Sequence, residues 1–427
     1  MVALDHPPVG TAARRWTGIA AVLAAVLSLA LLGVRSWQID YPYSIDFQVY
    51  WLAGSRVAAG NATSLYEPGG GPDEGVPLEM PRFEFKNLPI VSVAFVPFAG
   101  LEYFSAKRVF WWISFGALLG SAVLLGRFVL PGSLGGTGAR IAWSVAMICI
   151  MAPAHTSLRH GQTTPLVLLL LTAYVVFGLR ERRRLSGACL ALAGTVKLPV
   201  LFLAGLEAVR RRWSTVAAWG VVLAAIVALS LVGFGRELHR QYVAGLEQHA
   251  GTVMTGHNNQ SIPAVLTRVT GQAGIYDWEP RPIPADAMAA SVVVTLLLGG
   301  ILAWGLARRP VPAGPGGLLL DFSAVLAFGL VVMPVAWDHY FLLLVPAVAA
   351  LATGLDALGP PVRRAVLGAL AVAFAAIAIP TPQRLLDGGV DGGLPGSLLL
   401  SHYFAGAVLI LVLAVAGPRR KEAKLHE

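Results

Sequence analysis

The stretch TTPLVLLLLTAYVVFGLRERRRLSGACLALAGTVKLPVLFLAGLEAVRRRW, residues 163–213, decides the fold. A first apolar run ends in a turn carrying Arg180, Arg182, Arg183 and Arg184; a second and a third flank Lys197 and Pro199 and lead to Arg210, Arg211 and Arg212. Apolar segments of ~17–25 residues cross a ~30 Å hydrocarbon core as helices, and the basic clusters between them stay on the cytoplasmic side. The two runs beside Lys197 are too short for a full crossing at ~1.5 Å per residue. They read as a broken or tilted pair, with the proline marking the break.

Outward from this stretch the same pattern fills the chain. Its 427 residues are 56% hydrophobic and 13% charged, with mean hydropathy +0.68, whereas soluble domains carry about 25% charged residues. The expected fold is all-α: a polytopic transmembrane bundle of about 12 helices forming one membrane-embedded domain over 1–427. Candidate spans are 16–34, 88–128, 141–156, 163–179, 185–197, 199–209, 213–233, 287–307, 316–334, 340–355, 362–379 and 397–416. Arg14 and Arg15 ahead of the first span imitate a secretory signal, but no clear cleavage site follows, so it reads as a retained helix.

The net charge of +9 sits in short clusters between apolar runs, which fits topology and not nucleic-acid binding. Arg14–Arg15, Arg180–Arg184, Arg210–Arg212, Arg308–Arg309, Arg363–Arg364 and the tail at 419–421 all read as inside, with both termini cytoplasmic. That parity makes 88–103 re-entrant or interfacial. The extracytoplasmic face then receives the first loop, 35–87, a large loop, 234–286, and the turns near 157–162, 197–199, 335–340 and 380–396. Cys149 and Cys189 lie inside apolar runs and read as core thiols.

Polar, non-basic residues concentrate on that outer face. In YPYSIDFQVYWLAG, residues 41–54, Asp46 precedes an amphipathic segment with Tyr50 and Trp51 that would lie along the interface. Its carboxylate suits a general base acting on a hydroxyl beside aromatic faces fit for sugar, or is a solvated loop aspartate. HTSLRHGQTTP gathers His155, Arg159, His160 and Gln162, which fit either an anionic partner such as a lipid phosphate or a snorkelling arginine with surface histidines. Lys197 follows a long uncharged stretch, so a phosphate or carboxylate counterion, or snorkelling, must account for it. The run His257, Asn258, Asn259, Gln260, Ser261 either hydrogen-bonds sugar hydroxyls or caps the following helix. Trp337, Asp338 and His339 stand at the outer mouth of a span, as site residues or as part of an aromatic belt.

No Walker loop, dinucleotide glycine motif, HExxH or CxxC is present, and the outer loops carry no DxD, which disfavours nucleotide chemistry. Neither a cofactor nor a metal is called for.

Taken in order, DFQVYW, GQTTPLVLLL, KLP, HNNQSIPAVLTR and WDHYFLLL resemble glycosyltransferase family 87 over nearly the whole chain. The resemblance implies a GT-C fold with the catalytic aspartate in the first outer loop, here Asp46. It implies polyprenyl-phosphate-mannose as donor, a phosphatidylinositol mannoside as acceptor, and an α-1,2 linkage made with inversion. Lys197, Arg159 and His339 are the candidates for the donor phosphate. Where relatives carry a Tyr-Pro-Pro element after the first loop, this chain has FEFKNLP, with Lys86, Asn87 and one proline. The alternatives are a related transferase of lipomannan or arabinan synthesis, and a transporter or flippase using the broken helix at Lys197.

Overall fold

A computed structural model describes residues 11–37, 45–69, 75, 84–271, 274–309, 315–381 and 394–417. The basic tail at 419–421 and the Gly-rich stretch 388–393 lie outside them, as does most of 68–72. The fold is nearly all-helical, and the chain is a membrane protein. Five helices are long and apolar enough to cross a bilayer, six if one bent pair counts as a span; the other apolar helices among the described residues have 10–17 residues. Many large apolar side chains face outward, such as Val221 and Val232, as a lipid-facing surface requires.

The chain passes repeatedly between two polar ends. Helix α1 (Thr11–Ser36) leads to α2 (Ile45–Ala58), and a 3₁₀ helix, Pro89–Phe98, packs on α2 and is too short to cross. Helix α3 (Tyr103–Phe128) starts where the Glu102 carboxylate accepts from the amides of Phe104 and Ser105. Helices α4 (Thr137–Ile150) and α5 (Ala152–His160) meet at a 67° bend, where Met151 is extended ahead of Pro153. Helices α6 (Thr164–Leu179), α7 (Arg183–Val196) and α8 (Phe202–Val209) are the runs quoted at the outset, with a 3₁₀ turn, Leu198–Leu201, at the proline break. The two arginine turns repeat one backbone geometry, with Glu181 and Arg211 both at φ 55°.

Helix α9 (Trp213–His249) corrects the expected start of the large outer loop at 234. The backbone leaves helix only at Gly235 (φ 71°, ψ 172°) and helix resumes to His249. Residues beyond 234 are too polar to read as a span yet still helical. The loop proper holds β1 (Thr252–Val253), α10 (Ile262–Val269) and β2 (Arg281–Pro282), with β1 and β2 antiparallel. Then follow α11 (Ala285–Ala307), α12 (Pro315–Val332), a 3₁₀ helix Asp338–Leu344, α13 (Val345–Gly354), α14 (Pro360–Ala378), α15 (Leu394–Leu400) and α16 (His402–Ala416). Small residues let these helices close up: a Cβ on Gly187 or Gly406 would strike the neighbouring helix.

One end is basic and tied by buried ion pairs. Asp321, fully buried in α12, accepts from Arg210 Nε at 2.6 Å and from Arg309 Nη1 at 2.5 Å, while Arg309 also donates to the carbonyls of Ala414 and Val415. Glu207 accepts from Tyr174 Oη at 2.5 Å and from Arg212 at 3.1 Å. Arg210, Arg212 and Arg309 are therefore internal staples of the basic end, a role the sequence reading did not assign. Arg180 lies over the Phe128 ring, and Thr353 bonds the Val129 carbonyl, so the ends of α3, α6, α8, α11, α13 and α16 gather here.

Candidate active site

The opposite end collects the polar groups of the loops that the sequence reading expected to face outward. Helix α2 places Asp46 in its first turn, partly exposed, above an aromatic layer in which Phe47 stacks on Phe110 and Tyr50 on Phe95. Tyr50 is buried with its hydroxyl 3.3 Å from Thr163 Oγ1, and burial pushes its phenol up to about 12. Trp51 turns into that layer, donating to the Phe98 carbonyl at 3.2 Å, with its ring edge on Tyr103.

Helix α5 comes close to α2 through Gly161, left-handed at φ 66°, where a Cβ would lie 2.5 Å from that of Phe47. Gln162 follows directly and accepts from Lys197 Nζ at 3.2 Å. Lys197, buried at the α7 terminus, lies over the Tyr340 ring, 4.0 Å from its centroid. The Asp46 carboxylate is near enough to act electrostatically on Lys197, His339, Tyr340, Tyr50 and Tyr103. Asp46, Lys197 and His339, apart by 151 and 142 positions in the chain, thus share one site.

His339 is buried, with Nδ1 3.5 Å from Asp338 Oδ1 and the backbone amide donating to the same oxygen at 2.6 Å. Its Nε2 has no hydrogen-bond partner among the described residues. The Asp338 charge reaches His160 and His257, so the polar file runs from Asp46 through Lys197 and His339 into the large loop. His155 belongs elsewhere: its Nε2 bonds the Cys149 carbonyl at 2.7 Å, inside the α4–α5 bend. Arg159 shares the last turn of α5 with His160, partly buried.

The HNNQS run is engaged with backbone. Asn259 Oδ1 accepts from the amides of Ala336 and Ser261, and its Nδ2 donates to the Met254 carbonyl. Gln260 Nε2 donates to the carbonyls of His257 and Leu400, both at 2.8 Å. Ser261 caps α10, accepting from the Ala264 amide, and donates to the Pro334 carbonyl. All three are fully buried and lace the large loop to the strands of chain that present Trp337 and Asp338, with Asn259 bridged to Trp337. They frame the site, and the capping alternative accounts for Ser261.

Sequence reading missed Tyr340, Thr163 and Tyr103, and also Gln48, fully buried with neither amide atom partnered among the described residues. Tyr340 adjoins His339 in the same motif, and aromatic neighbours of a lone buried lysine were the available signal. Beside the site an apolar cavity of about 180 Å³ lies between the Pro89–Phe98 helix, α3 and α6. Phe95, Phe98, Phe110 and Leu166 line it, with Thr163 and Val196 on the wall nearest Tyr50 and Lys197.

Comparison with known proteins gives the family. Residues 85–334, more than half of the chain, match the model of glycosyltransferase family 87. Two relatives are named polyprenol-phosphate-mannose-dependent alpha-(1-2)-phosphatidylinositol pentamannoside mannosyltransferase. The one from Mycobacterium tuberculosis (strain CDC 1551 / Oshkosh) is 30% identical over 78% of this chain and 74% of its own. The one from Mycolicibacterium smegmatis is 26% identical over 80% and 77%. A third, from Mycobacterium tuberculosis H37Rv, named as the corresponding phosphatidylinositol mannoside mannosyltransferase, is 29% identical over 84% and 82%. No solved structure matches. Asp46 and His339 fall outside the matched 85–334, so their association with Lys197 rests on the structure. With more than half of its length matching and its polar groups gathered at one end of a membrane-embedded helical bundle, the chain belongs to glycosyltransferase family 87.

Proposed function

We propose that the chain transfers mannose from polyprenyl-phosphate-mannose to a phosphatidylinositol mannoside, forming an α-1,2 linkage with inversion at the extracytoplasmic membrane face. The observation that carries this reading is the shared site of a carboxylate, Asp46, with a buried cation, Lys197, and a histidine, His339. The names of the relatives supply donor and acceptor class. Orientation follows from the basic end, which the retention of Lys and Arg puts in the cytoplasm. On this reading Pro89–Phe98 stays outside and both termini lie in the cytoplasm.

Asp46 takes the proton of the acceptor hydroxyl as its oxygen attacks the anomeric carbon. The bond from that carbon to the phosphate oxygen breaks, its electron pair leaves with the oxygen, and the phosphodiester becomes a monoester with one more negative charge. Lys197, with His339 Nε2 and Arg159, meets that charge; donors aimed at developing charge in a site screened from water are worth most. A β-linked donor then yields an α-linked product. Tyr50 belongs to the aromatic layer under the sugar, and the apolar cavity beside Thr163 takes the first prenyl units of the donor. Asn259, Gln260 and Ser261 act through the frame.

The test is mannosyl transfer by purified chain in nanodiscs. Asp46→Asn keeps shape but cannot accept a proton, and general-base catalysis contributes ~10²–10⁴-fold. The variant should lose at least that much turnover while retaining donor binding. Activity within a few-fold of wild type would remove Asp46 as the base.

A further inference from the structure

The large outer loop carries an aromatic cluster that the transfer chemistry does not use. Tyr276 and Trp278 are 50% and 44% exposed, and His257 lies edge-on to both, at 5.8 Å between centroids. The cluster is rigidly held. The Gly256 amide donates to the Asp277 carbonyl at 2.6 Å and the His257 amide to that of Ile275 at 2.7 Å. A Cβ on Gly256 would collide with the Trp278 indole. Asp277 is ion-paired with Arg281, and Trp278 Nε1 donates to Asn258 Oδ1 at 2.9 Å.

Asn258 is the link to the catalytic end, since its carbonyl accepts from the Asp338 amide at 2.8 Å, one residue before His339. The same three residues, 256–258, thus hold aromatic rings on one side and the Asp338–His339 wall on the other. An indole serving only to anchor a helix at the interface keeps its N–H for water and headgroups. Here that N–H is bound internally. What remains exposed is ring surface, whose negative face suits the C–H bonds of a pyranose. Next to it the His257 ring, itself partly buried, packs edge-on and steadies both aromatic rings.

We infer that Trp278, with Tyr276 and His257, forms the shelf on which the terminal mannose of the acceptor stacks, so that acceptor specificity lies in the large loop. This rests on the proposed mannosyl transfer to a mannose-bearing lipid. The experiment uses the full chain in nanodiscs, with donor and a phosphatidylinositol mannoside varied separately. Trp278→Ala should raise the acceptor KM at least tenfold and shift the donor KM by less than about twofold, and Trp278→Phe should recover most of the loss. Saturation-transfer NMR with methyl α-mannoside, which needs no turnover, should show contact in wild type that Trp278→Ala loses. An unchanged acceptor KM overturns the shelf, as does an equal rise in both KM values, which would mark Trp278 as a membrane anchor. If wild type transfers no mannose yet binds the mannoside through Trp278, the transfer reading fails and the shelf stands.

Discussion

Replacing Lys197 with Met removes a charge and leaves a side chain of similar length over Tyr340, where sulfur packs well on an aromatic ring. The ammonium has three donors. One goes to Gln162 Oε1 at 3.2 Å, and the Tyr340 ring, 4.0 Å away, supports the cation from another side. A bond from the rest to a phosphate oxygen joins two charged groups and is worth about 1.5–3 kcal/mol, or roughly 10–150-fold in rate. The donor kcat/KM should fall by that factor. Stability should move little, because deleting a cation only 6% exposed also deletes its desolvation penalty. The partner left behind, Asp46, is partly exposed and stays hydrated. Transfer from polyprenyl-phosphate-mannose in nanodiscs, with a thermal melt on the same sample, makes the comparison. A Met variant within threefold of wild type, or one that melts far lower with normal turnover per folded molecule, would refute the phosphate role.

Asp321→Asn should destabilise the fold by about 3–5 kcal/mol, since it strips two buried guanidiniums of their carboxylate. Turnover per folded molecule should be retained, as read from detergent melts alongside activity; an unchanged melting point would refute the staple. Gly161→Ala should depress turnover at least tenfold by pushing α5 off α2 and separating Gln162 from Asp46, and a crosslink between thiols placed on the two helices would report it. Burial holds His257 below the ordinary imidazole value of ~6.5, with Asp338 opposing and Arg268 reinforcing that shift. Because the folded loop binds the proton less well than the unfolded chain, its stability is intact above ~6.5 and declines as pH falls below it. Protection factors of residues 254–260, corrected for the slower intrinsic exchange at lower pH, should fall on acidification, and His257→Gln should flatten that dependence.

The membrane class and the position of Lys197 were legible because both are one-dimensional signals: long apolar runs, and one charge where none belongs. Asp46 and the Asp338–His339 pair were legible as polar groups at span mouths. Their convergence was not, since it depends on how α2 is folded over α5. The side chains of Asn259, Gln260 and Ser261 carry donors and acceptors equally suited to sugar or backbone, and only the fold brings residues 334–336 and 400–404 within their reach. The pairing of Arg210 and Arg309 was not legible because their carboxylate, Asp321, is 111 residues from Arg210. The continuation of α9 past Gly235 was hidden because hydropathy marks the membrane boundary and not the end of a helix.

The short helices around Lys197 bear on how the proposed transfer from a lipid-bound sugar would be run. Helix α7 has 14 residues, so at ~1.5 Å each it rises only about 21 Å against a ~30 Å core. Starting from the basic end, it stops short of the opposite interface, and Lys197 adopts extended backbone there (φ −134°, ψ 102°) before the 3₁₀ turn begins. On the proposed orientation the ammonium is therefore sunk beneath the outer interface, with Tyr340 and Gln162 supporting it from within the protein. A soluble nucleotide-sugar would have to leave water to reach it. A polyprenyl phosphate brings its anionic group to about that level, and the apolar cavity along α3 and α6 adjoins the same point. On the proposed function, the recess selects for a lipid-borne donor through depth, and the loops at the same end are left to recognise the acceptor.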